Sequence, residues 1–394
     1  MTASQPDISA APGGLSETLA RRIRLAGPIS VAEYMAEALG HPTLGYYTTR
    51  DPLGAAGDFI TAPEISQTFG ELIGLWCAET WERMRRPDPV LLVELGPGRG
   101  TLMADALRAL RRVAPAFRSA LRLHLVETSP ALRRLQAERL ADASPVWHDR
   151  LADVPPGVPA LVVANEFLDA LPIRQFVRTG EGWRERQIGL DPAGAISRLA
   201  FAVAPVPTAS LALIPADLRN AAPPGSLFEA CPAALSIAGT IGARVVRDGG
   251  AALLIDYGHT ASACGETLQA MRSHRYHDPL DAPGSADLTA HVDFAAVSRA
   301  AAETGARVWG PVPQGEFLRA LGIEARAAML LRRVTPDQAA AIESGCRRLI
   351  DPAEMGTLFK ALAIADPALP PPLAGFPAAP FPPPQSVLTT DGTS

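Results

Sequence analysis

The chain has 394 residues, 47% of them hydrophobic, and a formal net charge of −5. Such a length buries a large core, as one big domain with insertions or as two, while the absence of any apolar run near the ~20 residues of a membrane span argues against stable membrane insertion and the acidic balance gives no reason to expect nucleic acid. Four scattered cysteines (Cys77, Cys231, Cys264 and Cys346) argue against a disulfide framework or a zinc site; with a start lacking a basic-then-apolar signal pattern, they lead to the expectation of a cytoplasmic protein.

Residues 1–14 read as a disordered lead. Residues 15–88 read as an N-terminal helical lid, opening with two short helices (Leu19, Ile23, Val31, Tyr34, Met35, Leu39) divided by Gly27-Pro28. Gly45-Tyr46-Tyr47 and then Gly57, Asp58 and Thr61 form polar loops, the second able to close over a bound cofactor and exclude water. Thr61 and Glu64 also have the spacing of a capping box. A helix over 66–84 follows, with Phe69, Leu72, Ile73, Trp76 and Trp81 facing a sheet.

The cofactor core is expected over 89–178. Residues 90–93 form a buried strand ended by Glu94; Gly96, Gly98 and Gly100 then turn the chain sharply into a helix (Leu102, Ala106, Leu107, Leu110). Strand, glycine turn and helix make the nucleotide-binding corner of a doubly wound α/β sheet. The glycines run G-x-G-x-G, without the third glycine of a dinucleotide fingerprint. Glu94 would repel a pyrophosphate and accept a hydrogen bond from a ligand ammonium. The pattern resembles the first motif of class I S-adenosylmethionine-dependent methyltransferases.

A second strand, 121–126, ends at Glu127, whose carboxylate suits two vicinal ribose hydroxyls. Ser129 and Pro130 start the next helix. Trp147 and His148 close a third strand, and either flank an adenine ring or form a buried aromatic with a satisfied histidine. A fourth strand, 160–164, leads into Asn165-Glu166-Phe167-Leu168-Asp169-Ala170-Leu171-Pro172, followed by a hairpin over 173–190. Residues 179–248 read as an inserted substrate subdomain and 249–365 as the remainder of the core, with a fifth strand at 251–255 ended by Asp256-Tyr257-Gly258-His259. A helix after Asp293 and closing strands at 307–310 and 327–332 complete it, before a proline-rich tail over 366–394. Asp287 and His291, four apart, would share a helix face, lining an acceptor channel or bonding each other.

The chemistry gathers at the carboxyl ends of the strands. Asn165 offers a carbonyl and an amide, while Glu166 and Asp169 offer carboxylates. A protonated, delocalised guanidinium needs a desolvated carboxylate to grip its N–H groups before one nitrogen can attack a methyl donor. Glu166 is the first candidate for that task and Asp169 the second; the structural alternative is that they cap the next turn or pair with Arg174.

Three longer motifs sharpen the reading: G-D-F-I-T-A-P-E-I-S-Q-T-F-G-E-L from Gly57, N-E-F-L-D-A-L-P from Asn165 and D-L-T-A-H-V-D-F from Asp287. Together they resemble the MidA-like methyltransferases, bacterial relatives of a mitochondrial arginine methyltransferase that assists complex I assembly. The resemblance runs over residues 29–375. It implies a Rossmann-like class I methyltransferase sheet, S-adenosyl-L-methionine as cofactor, and a protein substrate: an arginine of the complex I quinone-site subunit, symmetrically dimethylated. A homodimer is compatible with it. Ala62 stands where the mitochondrial form has a serine. The rival readings are a small-molecule or lipid methyltransferase and an assembly chaperone that binds the cofactor without using it; the glycine spacing disfavours an NAD oxidoreductase.

Overall fold

The central sheet is built from seven strands: β1 (Val90–Leu95), β2 (Leu121–Val126), β3 (Val146–His148), β4 (Ala160–Asn165), β5 (Gly250–His259), β6 (Arg307–Pro313) and β7 (Phe359–Ala365). Their order is β6-β7-β5-β4-β1-β2-β3, and all run parallel except β7, which is antiparallel to both neighbours. The pair Val292–Asp293 extends the sheet beside the end of β5. The computed structural model describes residues 14–49, 61–193, 198–272, 274–332 and 334–377. Gly57, Asp58 and the Pro382-Pro383-Pro384 run lie outside these.

Central parallel strands are covered on both faces, which demands continuous apolar runs. All six residues of β1 are buried, Glu94 included. One face carries the helix Gln67–Arg83 against the helix Thr101–Val113, sharing a core of Phe69, Trp76, Leu102 and Leu110. The other carries Pro232–Asp248 against Phe294–Ala302, with Ile241, Val245 and Phe294 fully buried. The helix Pro232–Asp248, expected within the insertion, thus packs on the central sheet.

A second, antiparallel sheet runs Ile29–Ser30, Gly182–Leu190, Arg174–Thr179, Leu227–Ala230, with Leu199–Val203 also on Gly182–Leu190. The helices Leu15–Ala26 and Val31–Gly40 lie on it, burying Leu19, Val31, Tyr34 and Met35 with Ile188 and Leu199. Ser30 and Glu33 form a capping box at the second helix.

Two expectations are corrected here. The run at 327–332 lies in a helix, Ile323–Leu331, not in a closing strand. Its Ala, Leu, Met and Arg residues favour helix, and Ile323 and Ala327, one turn apart, are its buried positions. The strand that joins β5 to β6 is instead F-K-A-L-A-I-A, seven buried residues of β7. Asp287 and His291 do not share a helix face either: Asp287 begins the strand Asp287–Thr289, paired antiparallel with Gln269–Arg272, because its neighbours Leu288 and Thr289 suit a pleated surface. After β7 the chain stays on the core, with Leu369, Leu373 and Phe376 buried and Trp76 Nε1 donating to the Ala374 carbonyl at 3.2 Å.

Candidate active site

A cavity of about 670 Å³ lies across the carboxyl ends of β1, β2 and β4. Gly96 and Gly98 line it, whereas Gly100, expected to do so, does not and packs toward Leu140 and Gln136; all three have left-handed backbones (φ 62°, 52° and 77°). A Cβ on Gly96 would come within 2.7 Å of the Phe167 ring, so the turn and the loop after β4 touch at a point only glycine allows.

Glu94 is 3% exposed and lines the cavity. Its Oε2 is buried without a hydrogen bond among the described residues. Burial, and then the charge of Glu127, push its carboxyl up to about 8. A buried acid left unpaired is costly unless a ligand satisfies it. Asn165 repeats the pattern: its Nδ2 donates to Glu166 Oε1 (3.1 Å), while its Oδ1 is buried and unpartnered.

Glu127 sits at the end of β2 and accepts from the Ser129 N–H at 2.8 Å; burial raises its pKa. Gln136, fully buried, binds three parts of this corner. Its Nε2 donates to the Gly98 carbonyl (2.7 Å) and to Glu127 Oε2 (3.3 Å), and its Oε1 accepts from Trp147 Nε1 (2.8 Å). Trp147 and His148 are not among the residues lining the cavity. His148 Nε2 pairs with His124 Nδ1 at 2.8 Å, and its carbonyl accepts from the Glu127 N–H at 3.0 Å. Sequence reasoning missed Gln136, although its place one turn from Leu132 and Leu140 puts it on the buried face of its helix.

Glu166 adopts a left-handed backbone (φ 49°), uncommon for a residue with a Cβ. Its Oε1 accepts from the Ala62 N–H at 2.8 Å, tying the helical turn Ala62–Ile65 to the acceptor loop. Thr61 makes no side-chain cap there, so the capping box does not form. Glu64 instead accepts from Thr101 Oγ1 and faces Arg139 at 3.8 Å. One turn of helix therefore bridges the glycine corner and the Asn165–Pro172 loop. Arg174 pairs with Glu185, not with the loop acids.

Behind Glu166 lie Asp169 and Asp256, both buried. Asp256 Oδ2 accepts from the backbone N–H groups of Phe167 (3.1 Å), Leu168 (2.8 Å) and Asp169 (3.2 Å), which fixes the loop. Asp169 Oδ1 and the Tyr257 hydroxyl are buried near each other, neither in a well-formed hydrogen bond. Burial pushes Glu166 up to about 7 and Asp169 to about 6, and holds Asp256 well above its ordinary value, with the neighbouring acids adding to it.

With the glycine turn after β1 and the acids closing β1 and β2 in place, the sequence itself matches a known family. The family model described as "Putative S-adenosyl-L-methionine-dependent methyltransferase" covers residues 72–312. The chain belongs to this family. Its cofactor, S-adenosylmethionine, is the one that the resemblance of the glycine turn to a methyltransferase motif implies. Among relatives, the protein arginine methyltransferase NDUFAF7, mitochondrial, of Danio rerio is 40% identical over 373 residues, covering 89% of this chain and 86% of that protein. The Homo sapiens protein of the same name is 39% identical over 367 residues, covering 87% and 81%. A solved Burkholderia thailandensis protein bound to S-adenosyl-homocysteine is 31% identical, with a TM-score of 0.79 over 93% of this chain and 96% of that one.

These relatives overturn the expected cytoplasmic location, since they are mitochondrial by name. Scattered cysteines exclude a disulfide scaffold but do not tell one reducing compartment from another. No helix among the described residues is long and apolar enough to cross a membrane.

Proposed function

We propose that this family member methylates a guanidinium nitrogen of an arginine carried on a protein. Glu166 carries the reading: a carboxylate fixed at the cavity wall by the Ala62 N–H and the Asn165 amide, with further acids behind it. The relatives' printed name, protein arginine methyltransferase, supports the same acceptor.

When bound, S-adenosylmethionine supplies a methyl group on a cationic sulfur, open to in-line attack. Glu94 Oε2 and Asn165 Oδ1, both buried acceptors without partners, fit the ammonium and other N–H donors. Glu127 faces the cavity where a ribose would present its hydroxyls. Glu166 grips the guanidinium N–H groups, fixes its plane and leaves one nitrogen toward the methyl. Transfer to a guanidinium releases one proton, and the Glu166–Asp169–Asp256 cluster is placed to receive it. Thr61, Pro63 and Glu64 wall the cavity, as a lid over the methionine end requires, and the antiparallel sheet with its helices serves as the substrate subdomain.

The substrate implied by the motif resemblance is the quinone-site subunit of complex I, dimethylated symmetrically. Mass spectrometry of that subunit from cells with and without this protein tests it. An arginine lighter by two methyl groups in the deletion strain is the expected result; an unchanged mass removes the substrate while leaving the enzyme class standing.

A further inference from the structure

The motif opening at Asp287 is not used by the chemistry above, yet its first residue reaches the cavity wall through a partner. Tyr47 lines the cavity from the helical turn Tyr46–Thr49, and its hydroxyl donates to Asp287 Oδ1 at 2.9 Å. Asp287 is buried on the strand Asp287–Thr289. One residue past that strand, the Ala290 N–H donates to the Asp169 carbonyl at 2.9 Å, so the strand is anchored to the acceptor loop. On its other side the Tyr47 carbonyl accepts from Ser129 Oγ at 3.1 Å, and the Ser129 N–H is held by Glu127. A relay through Ser129, the carbonyl and hydroxyl of Tyr47, Asp287 and the Ala290 N–H thus joins the acid at the ribose end to the loop that bears Glu166 and Asp169.

We infer that Tyr47 and Asp287 are positioning residues for the cofactor site: their hydrogen bond holds the Tyr46–Thr49 turn against Ser129 and so sets the wall beside Glu127. Removing the hydroxyl breaks the bond that ties the Tyr46–Thr49 turn to the strand of Asp287 and lets the turn drift. The wall then loses its fixed distance to the acid that orients the ribose. This rests on the reading that the cavity takes S-adenosylmethionine.

The test is S-adenosyl-homocysteine binding by calorimetry to the full chain and to Tyr47→Phe, Asp287→Ala, the double variant and Asp287→Asn, with melting temperatures alongside. Tyr47→Phe is expected to bind about tenfold more weakly. The double variant is expected to be no weaker than the weaker single one, since both remove one bond. Asp287→Asn, which keeps an acceptor oxygen for the hydroxyl, is expected to stay within about threefold of the natural protein. Additive losses in the double variant, or lowered melting temperatures with unchanged affinity, overturn the inference. Failure of the natural protein itself to bind S-adenosyl-homocysteine would strike the proposed cofactor site instead. Should Asp287→Ala not fold, the comparison of Tyr47→Phe with Asp287→Asn decides alone: equal affinities overturn the inference.

Discussion

Replacing Glu94 by glutamine separates what this acid does for the cofactor from what it costs the fold. Its carboxyl lies at about 8 in the folded protein, against an ordinary 4.5, chiefly because burial penalises the charge. Since the folded value is the higher one, the protonated acid is tolerated below pH 4.5 and stability drains away as pH rises toward about 8. At ~1.4 kcal/mol per pH unit, the interval from 4.5 to neutrality comes to ~3.5 kcal/mol against the folded state. Glutamine keeps the shape and does not titrate. In urea denaturation without ligand, the advantage of Glu94→Gln over the natural protein is therefore expected to widen by ~3.5 kcal/mol between pH 5 and pH 8. Cofactor affinity is expected to move the opposite way, with S-adenosyl-homocysteine bound at least about tenfold more weakly by the variant. Binding to the natural protein at pH 7 is also expected to release a proton, as Glu94 ionises to meet the ammonium; calorimetry in buffers of different ionisation enthalpy measures it. A stability difference that stays flat across pH would refute the argument.

Glu166→Gln keeps the oxygen that accepts from Ala62 but removes the charge, so arginine methylation is expected to fall at least about a hundredfold while S-adenosyl-homocysteine affinity stays within about threefold. Undiminished activity on a small-molecule acceptor would point to the rival substrate class. In the natural enzyme the methylation rate is expected to climb as pH passes through about 7, where Glu166 ionises; a rate falling over that range contradicts its role. Gly96→Ala places a methyl 2.7 Å from the Phe167 ring on a left-handed backbone. It is expected to cost ~1–2 kcal/mol from backbone alone and to abolish cofactor binding, read by thermal shift with and without ligand. Gln136→Leu leaves Trp147 Nε1 and the Gly98 carbonyl without their partner and is expected to lower stability by ~1–3 kcal/mol and to weaken cofactor binding.

What the sequence made legible is tied to local rules. The apolar run before Glu94, the glycines after it and the Ser129-Pro130 start of a helix each have a cause within a few residues, and each element is where that cause puts it. β7 was hidden because alanine dominates it: F-K-A-L-A-I-A has strand character only by being buried on both faces between β5 and β6, a tertiary fact. The i, i+4 spacing of Asp287 and His291 suggested a helix, whereas pairing with Gln269–Arg272 made a strand of one and left the other edge-on to the Tyr257 ring. Within the site, the acids at strand ends could be read directly. The partners that fix them could not, because Ala62 meets Glu166 across 104 positions of chain and Tyr47 meets Asp287 across 240. The compartment was misjudged for a different reason: nothing in the cysteine pattern distinguishes one reducing environment from another.

Among the described residues β7 is the last strand in the chain, yet it lies inside the sheet, flanked by β5 and β6. Until a ribosome has delivered residue 365, those two neighbours each present an open edge ready to capture another chain. A polypeptide stopped anywhere before residue 359 lacks the wedge that seals the sheet.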